Sequence, residues 1–128
     1  MRVLLDTCTF LWIGADAQEL SQTAREVFQS PENEVFLSSV SAWEIAVKHA
    51  LGRLPLPEKP ATYVPKLRKL HVIEPLPLDE EATLHITRLP DLHKDPFDRM
   101  LICQAIVLGM VLLTPDELVA QYPARSLW

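Results

Sequence analysis

The sequence predicts an α/β domain with a mostly parallel sheet and helices on both faces. Two observations carry that prediction. Short apolar runs at Arg2–Leu5, 35–37 and Val111–Leu113 each end abruptly in polar residues, as strands buried on both faces do. Between them lie longer stretches with helical spacing, of which 97–108 is apolar nearly all round and so belongs at the centre. A composition 48% hydrophobic over 128 residues, with only three glycines, is sufficient for one packed domain spanning 1–128.

The elements follow in order. The run Val3, Leu4, Leu5 ends at Asp6, and a short apolar helical segment at 10–13 comes next. Ser21 caps a helix over 21–29 with Ala24, Val27 and Phe28 on its inner face. Strand 35–37 runs into Ser38 and Ser39, and a helix over 41–51 closes at Gly52. Three prolines within 54–60 mark a loop, 61–70 is helical, and 71–78 is an extended connection with room for a short strand. A helix over 79–89 precedes the central one, which Asp95 and Pro96 begin and Gly109 ends. The third strand then leads into Thr114, Pro115 and Asp116.

Bulk properties narrow the function. The N-terminal run is broken by Asp6 and is too short for a bilayer span, so the expectation is a cytoplasmic protein with no membrane association. Cys8 and Cys103 sit singly in apolar runs and read as small buried hydrophobes, not as a disulfide or zinc pair. A net charge of −5 excludes nucleic-acid affinity through overall attraction. Its distribution is uneven, however, because Lys48, Arg53, Lys59, Lys66, Arg68 and Lys69 place half of all Lys and Arg within 48–71. Glycine-rich phosphate loops are absent. None of His49, His71, His85 and His93 has metal-pair spacing, and all four read as surface or edge residues.

Four acids stand where strands end or helices begin: Asp6, Glu44, Asp98 and Asp116. In open α/β sheets the carboxyl ends of the strands form one crevice, so these positions are expected to converge. Gathered carboxylates raise one another's pKa unless a divalent cation lies among them, and hard oxygen donors suit Mg²⁺ or Mn²⁺. Each acid also has a structural role open to it. Asp6 and Asp116 stand where helix N-caps would, and Ser41-Ala-Trp-Glu44 has the spacing of a capping box, with Lys48 four residues further on. Asp98 differs, because Asp95 already occupies the capping position of its helix.

The segments LLDTCTFLW, SSVSAWEIAVKHALGRL and LPDLHKDPFDRMLICQAIVLGMVLLTPDELVAQY together resemble the PIN domain family, and specifically the VapC-type toxins of bacterial toxin–antitoxin operons. The likeness spans nearly the whole chain. It implies a PIN-like, Rossmann-like three-layer sandwich in which Asp6, Glu44, Asp98 and Asp116 are the acidic quartet. It further implies Mg²⁺- or Mn²⁺-dependent endoribonuclease activity on an RNA substrate, a homodimer, and a small cognate antitoxin lying across the pocket. Thr7, Ser39, Lys48, Asp95, Arg99 and Thr114 match positions that support the site in similar proteins. Asp98 and Asp6 rank first among the acids and Asp116 last. Lys48, Arg99 and the basic stretch 66–69 are candidates for gripping the RNA backbone. Two other readings remain: a Mg²⁺-dependent phosphotransfer domain with Asp6 as nucleophile, and a catalytically idle regulatory partner. The first is disfavoured because Cys8 stands where a second acid is needed.

Overall fold

Side-chain alternation along the first strand, β1 (Arg2–Leu5), divides the protein into two cores. Val3 and Leu5 face one side and Leu4 the other. The computed structural model, which describes residues 1–128, carries this division across five parallel strands. Strands β2 (Glu34–Ser38), β3 (Ile73–Leu76), β4 (Val111–Leu113) and β5 (Arg125–Leu127) complete the sheet in the order β3-β2-β1-β4-β5. The register sets Leu4 beside Phe36 and Leu112, and Leu5 beside Leu113.

Helices α1 (Thr7–Ala15), α2 (Gln22–Gln29) and α4 (Pro60–Leu70) cover the first face through Phe10, Ile13, Ala24, Val27, Val64 and Leu67. The second face is covered by α6 (Pro96–Leu108), whose Leu101, Ile102, Cys103 and Ala105 are buried with Leu4 and Leu112. Helix α3 (Ser39–Ala50) contributes to both, with Ile45 in the first core and Val40 in the second. The result is a sheet with helices on both sides, a PIN-like α/β sandwich.

Departures from the expected elements have local causes. The helix expected over 79–89 is a single α-helical piece, α5 (Glu80–Leu84), that tightens into a 3-10 turn at His85–Arg88. β-branched Ile86 and Thr87 crowd the helix there, and Pro90 forces Leu89 into the extended region at φ −78°, ψ 132°. Helix α3 begins two residues before the expected start, because the Ser38 hydroxyl caps it by accepting the Val40 N–H at 3.0 Å. Strand β5 has no counterpart in the sequence reading. It exists because β4 has an open side, onto which Val111, Leu112 and Leu113 align Arg125, Ser126 and Leu127.

The topology places the site. From β1 the chain passes to β2 and β3 on one side, then returns to β4 on the other, so β1 and β4 flank the point where the winding reverses. Asp6 and Thr114 directly follow these two strands, and the Asp6 N–H donates to Leu113 O at 3.1 Å.

Phe10 is fully buried between α1 and the sheet. Phe10→Ala is expected to cost about 3 to 5 kcal/mol in urea unfolding; a loss below about 1 kcal/mol would mean that α1 does not seal the first core.

Candidate metal centre

Asp6 occupies the N-cap position of α1, yet its side chain makes no capping hydrogen bond. Its Oδ2 instead accepts the Thr114 hydroxyl at 2.6 Å, a link between the ends of β1 and β4. Burial raises the Asp6 pKa, and the negative charge of Glu44 adds to the rise, while the Thr114 hydroxyl pulls the other way. Beside it, the Thr7 hydroxyl donates to the fully buried Ser41 at 2.9 Å and ties the start of α1 to α3.

Glu44 does not form a capping box. With the N-cap at Ser38, Ser41 lies inside α3 and Glu44 falls in its second turn. The glutamate is 5% exposed; Oε2 pairs with Lys48 Nζ, and Oε1 is buried with no hydrogen-bond partner. An unsatisfied buried carboxylate oxygen is costly, so this atom is a vacancy in the protein's own bonding that a cation would fill. The Lys48 pKa is raised, chiefly by its bond to Glu44.

In the first turn of α6, Asp95 Oδ1 caps the helix by accepting the N–H groups of Phe97 at 2.8 Å and Asp98 at 3.1 Å. The Asp98 carboxylate is thereby free of any capping duty. Its pKa is pushed up to about 7, by burial first and then by the charges of Asp6, Asp95 and Glu44. Asp116 has structural work: Oδ1 caps the 3-10 turn Glu117–Gln121 through the Leu118 N–H at 2.9 Å. Its Oδ2 lies 2.5 Å from His93 Nε2.

All four acids line one cleft of about 540 Å³, together with Thr7, Cys8, Lys48, Arg53 and Asp95. The other expected residues are placed differently. Ser39 is exposed and borders a separate hollow with Ala42, Pro60 and Arg68. Arg99 turns away from the cleft and donates to Pro90 O at 2.9 Å and His93 O at 3.4 Å, bracing the segment that leads into α6. Cys8 is half-buried on the cleft wall and not in the core, and burial beside Asp6 pushes its thiol up to about 12.

His93 is the residue that sequence reasoning missed. It is not a surface or edge residue but is 8% exposed, and its ring offers a nitrogen within 4.8 Å of carboxylate oxygens of both Asp98 and Asp116. Its one signal was position, two residues before a capping aspartate; its partner Asp116 lies 23 residues further on.

Hard oxygen donors, mutual repulsion and the orphaned Glu44 oxygen together fit a divalent cation held by these acids. A profile for the PIN domain matches residues 3–124. The chain belongs to the PIN domain family. Over 73 residues it is 41% identical to Ribonuclease VapC16 of Mycobacterium tuberculosis, which covers 57% of this chain and 50% of that protein. The chain thus spans about half the length of the curated relative it matches. Among solved structures, VapBC2 from Rickettsia felis, bound to a promoter DNA fragment, superposes with a TM-score of 0.74 at 14% identity, over 99% of this chain and 98% of that one. VapBC-1 from nontypeable Haemophilus influenzae gives 0.62 at 18% identity, over 94% and 91%. At these identities the likeness establishes the PIN fold.

In EDTA the folded protein holds the Asp98 proton up to about pH 7, whereas an unfolded aspartate releases it at ~4. Stability therefore falls as pH rises through that window, by roughly 1 to 2 kcal/mol once the shift is discounted for solvent screening. Asp98→Asn should melt with wild type near the lower end of the window and above it at pH values beyond the upper end. Equal melting temperatures throughout would rule out the electrostatic crowding.

Proposed function

We propose that this PIN domain is a metal-dependent endoribonuclease and the toxin of a toxin–antitoxin pair. The observation that carries the reading is the cleft itself, where Asp6, Glu44, Asp98 and Asp116 face the same space and Glu44 Oε1 is buried without a partner. Asp6, Glu44 and Asp98 would hold Mg²⁺ or Mn²⁺, with Asp116 completing the set. When bound, such a cation polarises phosphoryl oxygens and makes water a competent nucleophile near neutral pH.

The chain's own residues do the rest. Thr114 fixes the Asp6 carboxylate through the 2.6 Å bond to Oδ2. Lys48 neutralises Glu44 in the free protein, and its side chain is 42% exposed at the cleft wall. With Glu44 among the residues that would hold the cation, the Lys48 ammonium would be free to contact a substrate phosphate, and Arg53 on the same wall would offer a second contact. The basic stretch 66–69 takes no part in the cleft: Arg68 and Lys69 lie in the last turn of α4, where Arg68 donates to Ile73 O at the start of β3, and Lys66 pairs with Glu58 at 2.6 Å. Attack by water in this scheme leaves a 5′-phosphate and a 3′-hydroxyl and does not require the RNA 2′-hydroxyl.

The relative named as a ribonuclease supports the activity, and the VapBC structures support an antitoxin as partner. A homodimer is supported by Trp43, which is 61% exposed and packs edge-on against Phe97 at 4.8 Å, an aromatic surface of the kind that associates. No helix is long and apolar enough to cross a membrane; an RNA substrate would put the protein's work in the cytoplasm.

In an RNA cleavage assay, EDTA should abolish activity and Mg²⁺ or Mn²⁺ restore it. Asp6→Asn and Asp98→Asn should each lower the rate by on the order of 10²-fold or more, and induction of either variant should no longer arrest growth. Full cleavage by Asp98→Asn, or products ending in a 2′,3′-cyclic phosphate, would overturn the reading.

A further inference from the structure

The segment 89–95 carries His93 against Asp116, a residue of the cleft lining, and Tyr122 stands behind the ring. Tyr122 is 4% exposed, and its hydroxyl oxygen accepts the His93 backbone N–H at 2.8 Å while lying 2.9 Å from ring Nδ1. A phenolic hydroxyl has one proton to give. The Asp116 carboxylate can only accept, so it faces Nε2–H, and in the singly protonated ring that leaves Nδ1 to accept the phenolic proton. Nδ1 is then the acceptor and the ring proton resides on Nε2, pointed at Asp116 Oδ2 2.5 Å away. The other oxygen of the same carboxylate is held by the Leu118 N–H at 2.9 Å. Asp116 is therefore fixed at both oxygens, and both ring nitrogens of His93 are used in doing so.

We propose that His93, locked by Tyr122, is a positioning residue that aims Asp116 at the cation shared with Asp6, Glu44 and Asp98. The inference rests on the metal-dependent reading above and deepens it. It makes Asp116 a held member of the set, contrary to its last rank on sequence grounds. It also separates His93 from the ligands, although its ring lies within 4.8 Å of carboxylate oxygens of Asp98 and Asp116. A ligand would need a free ring nitrogen, and none is left.

The test is Mn²⁺ titration of the full chain without RNA, followed by calorimetry or electron paramagnetic resonance. His93→Ala should weaken Mn²⁺ binding about tenfold, and Asp116→Asn should do the same. The double variant should bind no worse than Asp116→Asn alone, because both substitutions break one unit. His93→Gln, whose amide N–H stands in for Nε2–H, should recover most of the affinity. Ring ¹⁵N–¹H spectra should place the wild-type proton on Nε2, with Tyr122→Phe mixing the two tautomers; these two variants carry the test if His93→Ala does not fold. A wild-type proton on Nδ1, or losses that multiply in the double variant, would overturn the relay. So would Mn²⁺ binding by wild type that is unchanged in folded His93→Ala, with the functional reading left standing. A wild-type protein that takes up no Mn²⁺ overturns the functional reading, and the relay with it.

Discussion

Negative charge concentrated where β1 and β4 end is the constraint around which the site is organised. Asp6 is held at that point by a Thr114 hydroxyl from across the sheet, and Glu44 and Asp98 are brought toward it by α3 and α6. The cost of this crowding is visible in the raised pKa values of Asp6 and Asp98, both caused first by burial. Only Lys48 offers a direct counter-charge among the basic residues, and it satisfies one oxygen of one acid. A protein selected for stability alone would replace such a cluster with apolar or neutral groups. Retaining it makes sense where a cation completes it.

The division of labour among polar residues is what leaves the acids available. Ser38 caps α3 and Asp95 caps α6, so neither Glu44 nor Asp98 is consumed by an orphan helix N–H. At α1 the Asp6 side chain leaves the cap unmade and bonds to Thr114 instead. Asp116 is the exception, serving both the 3-10 turn and His93. Dual use of this kind is compatible with a site role because each carboxylate oxygen has two lone pairs.

Much of this was legible along the chain. The apolar runs at Arg2–Leu5 and Val111–Leu113 match the observed strands, because residues buried on both faces must be continuously apolar. The parallel arrangement followed from strands separated by helices. Elements whose existence depends on a neighbour were not legible. β5 is a strand only because β4 offers an open edge, and the capping-box spacing at Ser41 misled because the helix begins at Ser38 for reasons of local hydroxyl geometry. The exposed position of Ser39 and the outward turn of Arg99 belong to the same class, since a side chain's direction depends on where its helix starts and what lies opposite.

By itself, then, the sequence determined the α/β class, the positions of Asp6, Asp98 and Asp116 at element ends, and the family to which the chain belongs. These are properties of pattern, which apolar periodicity and chain order specify directly. Tertiary structure alone decided which hydroxyl holds Asp6, that Glu44 keeps an unpaired oxygen, and that a buried histidine rather than a lysine or arginine meets Asp116. Hydrogen bonds between residues 23 to 108 positions apart depend on angles and distances that only the packed sheet and helices establish, and no local spacing encodes them.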